Sequence, residues 1–584
     1  MLFPRENKFR NVKILDGFWS LKFDKNDEGE KQAWCKGLKN ANPVAISAPW
    51  NEQYPDFKNY MGTVWYECKT VIAKSWEKEF VWLRFCGVNW NAKVWINGKE
   101  LGTHSGGFIS FEYQINDLIK TGDENLIVVK VDMKLSRETL LQDGKGIGHW
   151  AKFGDKYPPS SGDYFPWGGI IRPVYVYTVP KTYIQDITLN TDISGKAGVI
   201  KYQIELNSKP LNGLVKVTVT DKAGTVVAQG SGLSGTVRVE KAEFWCAETP
   251  HLYSFEAALI VNGATADAYC LKTGIKKIEI KKDAVLINGK SVYFRGFSRH
   301  DDLAVIGAGF NRALIVRDFQ LLKWIGANIL RPGHYPPSEE LLDLADETGI
   351  YIIDEVPANA FYSTKNPNDK PKDMVPPAFI ENHKNAVKAM VTRDKNHASV
   401  IAWSIANECN STLNECAVHL KKIYDYTKTL DGRPVVFMNC MDDDDKASGH
   451  FDIICMNMYF FLYNEGGDWD KVQKTMSDIC DKMYKRFKKP MLISEFGADG
   501  IAGEHAHPAV FYTEDYQTEH VLKYLDVFEK KSYIRGTMVW AFADFLVSQH
   551  FGRAILNRKG VFNRDRNPKM IARFLKQRWE KIKK

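Results

Sequence analysis

Long apolar runs are missing from this 584-residue chain. No segment approaches the roughly 18 consecutive apolar residues of a membrane span. The opening "MLFPRENKFRNVKILDGFW" has no apolar core of the length a secretion signal needs. The ten cysteines form no CxxC pair, and several sit inside apolar strands, as in "WLRFCG". They read as free buried thiols in a reducing compartment, and the expected location is the cytoplasm. Metal-ligand clusters are lacking as well: "HAH" at 505–507 stands alone, so no metal is expected. Charge of one sign is scarce, with 79 basic against 71 acidic residues and a net charge of +8. The densest basic run, "KRFKK" at 485–489, reads as a solvated helix end, which argues against nucleic acid as a partner. No glycine-rich phosphate loop follows any strand, which argues against a doubly wound nucleotide-binding sheet; no cofactor is expected.

What is abundant is aromatic. Sixteen Trp, 25 Tyr and 32 Phe make 12% of the chain, enough for a large core and for the platforms on which sugar rings stack. A chain this long divides into several domains. Residues 1–180 carry short Val-, Ile-, Trp- and Tyr-rich runs such as "YMGTVWYECKTVIA" and "NAKVWINGKELG", with Asn97-Gly98 as a hairpin turn. They predict an N-terminal β jelly roll. Residues 181–276 repeat the rhythm on a smaller scale and predict an immunoglobulin-like β sandwich of seven strands.

From 277 to 584 strands and helices alternate. Eight apolar strand candidates occur, near 292, 328, 351, 400, 435, 453, 490 and 536. They are joined by helices such as 338–348, with Ser338 as N-cap and Gly349 as stop. That count predicts a C-terminal (β/α)8 TIM barrel; the doubly wound sheet is the lesser alternative.

Catalytic groups of such barrels stand at the C-terminal strand ends. Here strand four ends in Asn407-Glu408, strand seven in Glu495, strand three in Asp354-Glu355, and strand six in Asn457 and Tyr459, while Arg331 and His334 follow strand two. Any one of these has a bland reading as a capping or salt-bridging group; their convergence on one rim does not. Two facing carboxylates in an aromatic bowl are what glycosidic cleavage requires: one protonates the leaving oxygen, the other attacks or activates water. The acid needs a raised pKa, and Trp403 beside Glu408 and Phe496 beside Glu495 are expected to supply the apolar setting.

"WSIANE", "LISEFGADG", "GANILRPGHYPPSEELLDLADETGIYIIDE" and "FSRHDD" resemble, over a chain with the same domain order, the signatures of glycoside hydrolase family 2. The resemblance implies that Glu408 is the general acid/base, that Glu495 is the nucleophile, and that configuration is retained. The C-terminal "ILNRKGVFNRDRNPKM" is similar to the β-glucuronidase branch, whose Asn-x-Lys motif grips a uronic acid carboxylate. By that likeness Asn557 and Lys559 take this part, with Arg553 as a second contact. The same carry-over gives Asp163 to the sugar hydroxyls and Asn407 to the 2-hydroxyl. It sets His334, Asn457, Tyr459 and Tyr463 in the pocket wall, with Trp540 as its floor.

Three departures bear on specificity: "PGHYP" in place of "TSHYP", Cys409 where proline is common, and altered residues around Asp163. They leave a β-galacturonidase open as the alternative, with a neutral-sugar β-galactosidase or β-mannosidase behind it. The Pro/Asn/Lys-rich loop after strand three resembles a shortened form of the loop that covers the active site in some bacterial members. A sugar-binding protein with a dead barrel is the rival from another class, disfavoured by two intact carboxylate motifs. A small-molecule or oligosaccharide glucuronide as substrate, and a homo-oligomer (tetramer or dimer), are implied by the resemblance alone.

Overall fold

The computed structural model describes residues 2–143, 158, 160–209, 212–363, 369–442, 444–460, 468–548, 553 and 555–582. The N-terminal sandwich pairs a six-stranded sheet built around Thr63–Val71 and Glu124–Asp132 with a four-stranded sheet built around Phe80–Phe85 and Val174–Val179. Alternating residues face the space between them. Val64, Tyr66, Leu83, Phe85, Val129 and Val131 are all buried in one cluster, as the period of two of a strand dictates. Asn97 and Gly98 take φ 51° and 77°, the left-handed pair that lets Ile96 and Lys99 face each other across a two-residue hairpin.

The second sandwich has three strands (Ile184–Ser194, Ala197–Leu206, Ser234–Val239) on four (Val226–Ser231, Gly213–Thr220, Tyr253–Val261, Ala264–Thr273). That is the seven-stranded immunoglobulin-like arrangement the sequence predicts.

The barrel closes from eight parallel strands, here numbered β1 (Phe294–Arg299), β2 (Ile329–Pro332), β3 (Tyr351–Glu355), β4 (Val400–Asn407), β5 (Val435–Asn439), β6 (Ile454–Asn457), β7 (Met491–Glu495) and β8 (Ile534–Trp540). Closure is by parallel pairing of Phe294 with Gly536 through Ser298 with Trp540. Gly296 has no substitute in this wall, because a Cβ there would lie 1.9 Å from the Ile329 carbonyl oxygen of the neighbouring strand. The helix Glu339–Thr348 begins at Ser338, whose hydroxyl accepts from the Leu341 N–H, and stops at Gly349 with φ 71°.

The two ends of the barrel differ in chemistry. Its base is plugged by Ile353, Ile401, Met438, Leu492 and Met538, closed from below by Val285 and Ile287 of a small hairpin sheet and by Trp245 of the second sandwich. At the other end β3, β4, β5, β6 and β7 terminate on the buried polar residues Glu355, Asn407, Asn439, Asn457 and Glu495. Burying so many polar groups is tolerable only where they satisfy one another or a ligand. Among the described residues no helix is long and apolar enough to cross a membrane.

Candidate active site

Glu408 directly follows β4. Hydrogen bonds from Asn407 N to Ala358 O (3.0 Å), from Ala360 N to Asn407 O (2.9 Å) and from Glu408 N to Met438 O (2.8 Å) pin this stretch between the neighbouring strand ends. There the chain turns out of the sheet with Glu408 at φ 50°, a left-handed conformation that costs a side-chain-bearing residue about 1–2 kcal/mol. Strain of this kind persists where surrounding contacts enforce it, and it clusters at functional sites.

The Glu408 carboxyl is pushed up to about 7, first by burial and then by the charge of Glu495, with the Asn457 hydrogen bond and Arg331 opposing. Asn457 Nδ2 donates to Glu408 Oε1 at 2.7 Å and to Asn407 Oδ1 at 3.1 Å. Ser494 Oγ fixes the orientation of that amide by donating to Asn457 Oδ1 at 2.7 Å.

Glu495 receives Arg331 Nη1 on Oε1 at 2.6 Å and the Tyr459 hydroxyl on Oε2 at 2.8 Å. Arg331 is wholly buried and its other nitrogens are also committed. Nε and Nη2 grip Glu355 at 2.7 and 2.8 Å, and Nη2 reaches Asn407 Oδ1 at 2.9 Å. Burial alone raises a carboxylate, yet Arg331 and His334 hold Glu355 down at about 2. His334 Nδ1 lies 2.9 Å from Glu355 Oε1, and its ring stacks on Trp540 at 5.0 Å and 18°. Asn407 spends one N–H on Asn359 at 2.9 Å; an amide carries two.

A second group of charges is built where the jelly roll meets the segment after β8. Arg553 donates to Asp163 Oδ2 from Nε and Nη2 at 3.1 and 2.9 Å, and Asn557 Nδ2 joins the same oxygen at 3.1 Å. Asp163 Oδ1 is buried and has no hydrogen-bond partner among the described residues. Lys559 is buried, with its Nζ 2.9 Å from Asp499 Oδ2 and 5.8 Å from the centre of the Tyr459 ring. Burial opposes ionisation of Asp499, but Lys559 and Arg553 outweigh it and hold the group at about 2. Tyr459 therefore joins the two halves: its hydroxyl is on Glu495 and its ring faces Lys559.

The expected site residues among those described are linked by these contacts, from Trp540 and His334 through Arg331, Glu495 and Tyr459 to Lys559, and from Arg553 and Asn557 to Asp163. Tyr463 and part of the loop after β3 lie outside the described residues. Described parts of that loop meet the jelly roll, with Arg137 Nη2 3.1 Å from Asp369 Oδ2.

Two expectations fail. Trp403 does not adjoin Glu408: its indole donates to Asp431 at 3.2 Å and lies under the Arg433 guanidinium, toward the opposite end of β4. Phe496 packs outward on Tyr524 and Phe528. Side chains alternate across a strand, so neighbours in sequence are not neighbours in the pocket; burial and Glu495 perturb Glu408 without them.

The sequence reading left Asp499 unremarked although it lies four residues after Glu495. Its one signal is that it is the second acidic residue of "LISEFGADG", four after Glu495. Arg331 and Glu355 carry no sequence signal beyond their place at strand ends, since the residues that pair lie 24 positions apart on neighbouring strands.

The chain matches family models along its length: the sugar-binding domain of glycosyl hydrolases family 2 over 12–180, glycosyl hydrolases family 2 over 182–276, and the family 2 TIM-barrel domain over 278–584. A β-glucuronidase of Paenibacillus borealis is 37% identical, the match covering 99% of this chain and 98% of that one. The Homo sapiens β-glucuronidase is 34% identical over 100% of this chain and 93% of its own. Among solved structures, a β-D-glucuronidase of Dictyoglomus thermophilum superposes with a TM-score of 0.92 at 34% identity, covering 100% of this chain and 99% of that one. The Ruminococcus gnavus β-glucuronidase in complex with D-glucuronic acid gives 0.91 at 31%, covering 99% of each. With a closed barrel, two sandwiches in the same order and an opposed pair of glutamates at the barrel mouth, this chain belongs to glycoside hydrolase family 2.

Proposed function

We propose that the protein is a retaining exo-β-glucuronidase, which removes terminal β-D-glucuronic acid through a covalent glycosyl-enzyme. Glu408, neutral below about pH 7, donates its proton to the glycosidic oxygen as Glu495 attacks the anomeric carbon; the aglycone leaves as its alcohol. Glu408, now a carboxylate, takes a proton from water, and the water oxygen displaces Glu495 from the anomeric carbon. Tyr459 and Arg331 hold the two Glu495 oxygens, which fixes the attacking geometry before substrate arrives. Asn557 and Lys559 bind the C6 carboxylate, and Asp163, with one oxygen unsatisfied, accepts from the ring hydroxyls. Asn407, Asn457, His334 and Arg553 orient these groups, and Trp540 forms the floor.

The observation that carries the reading is Tyr459 spanning from Glu495 to the buried Lys559 ammonium. It supports a uronate site, because a buried cation lies one aromatic ring away from Glu495. A neutral sugar would leave that cation without a new acceptor. Full-length relatives named β-glucuronidases favour the glucuronide over the galacturonide alternative. Ten free cysteines support a reducing, cytoplasmic setting, and membership of the family supports a homo-oligomer.

The test compares kcat/KM for chromogenic β-glucuronide, β-galacturonide and β-galactoside in wild type and Lys559→Ala. Expected is a preference for the glucuronide that falls by about 1.5–3 kcal/mol in the variant, roughly 10- to 150-fold. A best rate on galactoside, indifferent to Lys559, would overturn the uronate assignment.

A further inference from the structure

Between the second sandwich and the base of the barrel lies a cavity of about 340 Å³. It opens at the start of β4, and the eight residues of that strand, about 25 Å of extended chain, separate it from Glu408. Its walls come from the sandwich strand Ile184–Ser194, from residues 273–278, and from the turns that lead into β4 and β5. Five Lys or Arg side chains line it against two aspartates, Asp192 and Asp431.

Most of these cations already have acceptors. Lys277 pairs with Asp192 at 3.8 Å, Lys395 with Asp186, and Arg433 with Asp431 at 3.3 Å; His397 faces Asp346 at 2.8 Å. Lys201 is exposed at the rim.

Lys276 is different. It is only 7% exposed and lines the cavity, yet among the described residues its ammonium has neither an ion pair within 4.0 Å nor a hydrogen bond. Its Nζ lies 5.8 Å from the centre of the Trp245 ring. The backbone is well anchored: Lys276 N donates to Thr191 Oγ1 at 3.2 Å, and that hydroxyl donates back to Lys276 O at 2.9 Å. With its stem buried and no acceptor among the described residues, the ammonium opens on the crevice and depends on what occupies it. Burial, then Arg433, pull Lys276 down to about 7, against the weaker pull of Asp346 and Asp431.

We infer that this crevice binds a small oxyanion, a phosphate or carboxylate group on a molecule of sugar size, with the Lys276 ammonium as its anchor. At about 340 Å³ the crevice has more room than a bare ion fills. The bound anion supplies the acceptor that Lys276 lacks, and Arg433 adds positive field from the adjoining wall.

Calorimetric titration of the full chain near pH 8, with inorganic phosphate and separately with citrate at ionic strength matched by sodium chloride, tests this. Expected is saturable binding of at least one anion, the tighter one naming the group recognised. In Lys276→Met that binding weakens by about tenfold or more while kcat/KM on the chromogenic β-glucuronide stays unchanged. Binding in Lys276→Met equal to wild type, or no saturable heat with either anion, overturns the inference. If Lys276→Met does not fold, wild type titrated in two buffers of different ionisation enthalpy decides. Anion binding there takes up a proton as Lys276 charges, and a heat independent of the buffer overturns the inference.

Discussion

The Arg331 guanidinium holds the Glu495 carboxylate at 2.6 Å while its other face is locked on Glu355. One buried cation thus sets the position of the nucleophile and the charge balance of the barrel mouth. Arg331→Met would leave two carboxylates buried without it. The expected loss is about 3–5 kcal/mol of stability together with turnover. Arg331→Lys keeps the charge without the fork and should fall between the two in urea unfolding and in kcat.

Glu408 is neutral below about 7 and charged above it, and only the neutral form is an acid. The rate should therefore fall as pH rises through about 7. Asn457 donates to Glu408 and so favours the charged form. In Asn457→Ala the alkaline limb of kcat/KM should move to higher pH; an unmoved or lowered limb would mean another group sets it.

The same carboxyl has a stability consequence of opposite sign to its catalytic value. Its folded pKa is raised, so its favourable contribution is complete below the ordinary carboxylate range and is lost as pH rises through about 7. Glu408→Gln should lower kcat by about 10²–10⁴-fold, yet gain stability over wild type at pH 8 relative to pH 5. Thermal unfolding at the two pH values reads this out.

Acid acts on other groups. Glu355 and Asp499 are both held at about 2 by their cations. Their contribution is present above the ordinary carboxylate range near 4 and is lost as pH falls toward 2, on the order of 2–3 kcal/mol for each. Urea midpoints measured from pH 6 to pH 2 should drop over that interval, and drop less in Asp499→Asn.

Gly560 follows Lys559 where two chain segments cross. A Cβ there would lie 2.1 Å from Asp544 N and 2.4 Å from Phe562 O. Since both obstacles are backbone, Gly560→Ala must shift the segment that carries Lys559. Activity on the glucuronide should suffer more than the melting temperature does, which assays of both will show.

Much of this molecule was legible from local pattern. The eight apolar strands, the Ser338 cap with its Gly349 stop, and the Asn97-Gly98 turn depend on contacts within a few residues, and so does the appearance of Glu408 and Glu495 at strand ends. Local pattern misled for Trp403, which lies earlier in β4 and turns to Asp431 and Arg433, and for Phe496, whose adjacency to Glu495 sends it to the opposite face. It was silent on Asp499, whose partner Lys559 is 60 residues away.

By its own order of residues the chain determined three domains, a parallel barrel and two carboxylates at its mouth, since periodicity and turn chemistry act at short range. Only the tertiary structure decided which carboxylate is neutral, which cation holds the other, and that the buried Lys276 has no acceptor among the described residues. Those properties come from burial and from charges brought together across the chain. Asp163 and Asn557, 394 residues apart and 3.1 Å from each other, meet only because the jelly roll is folded against the barrel.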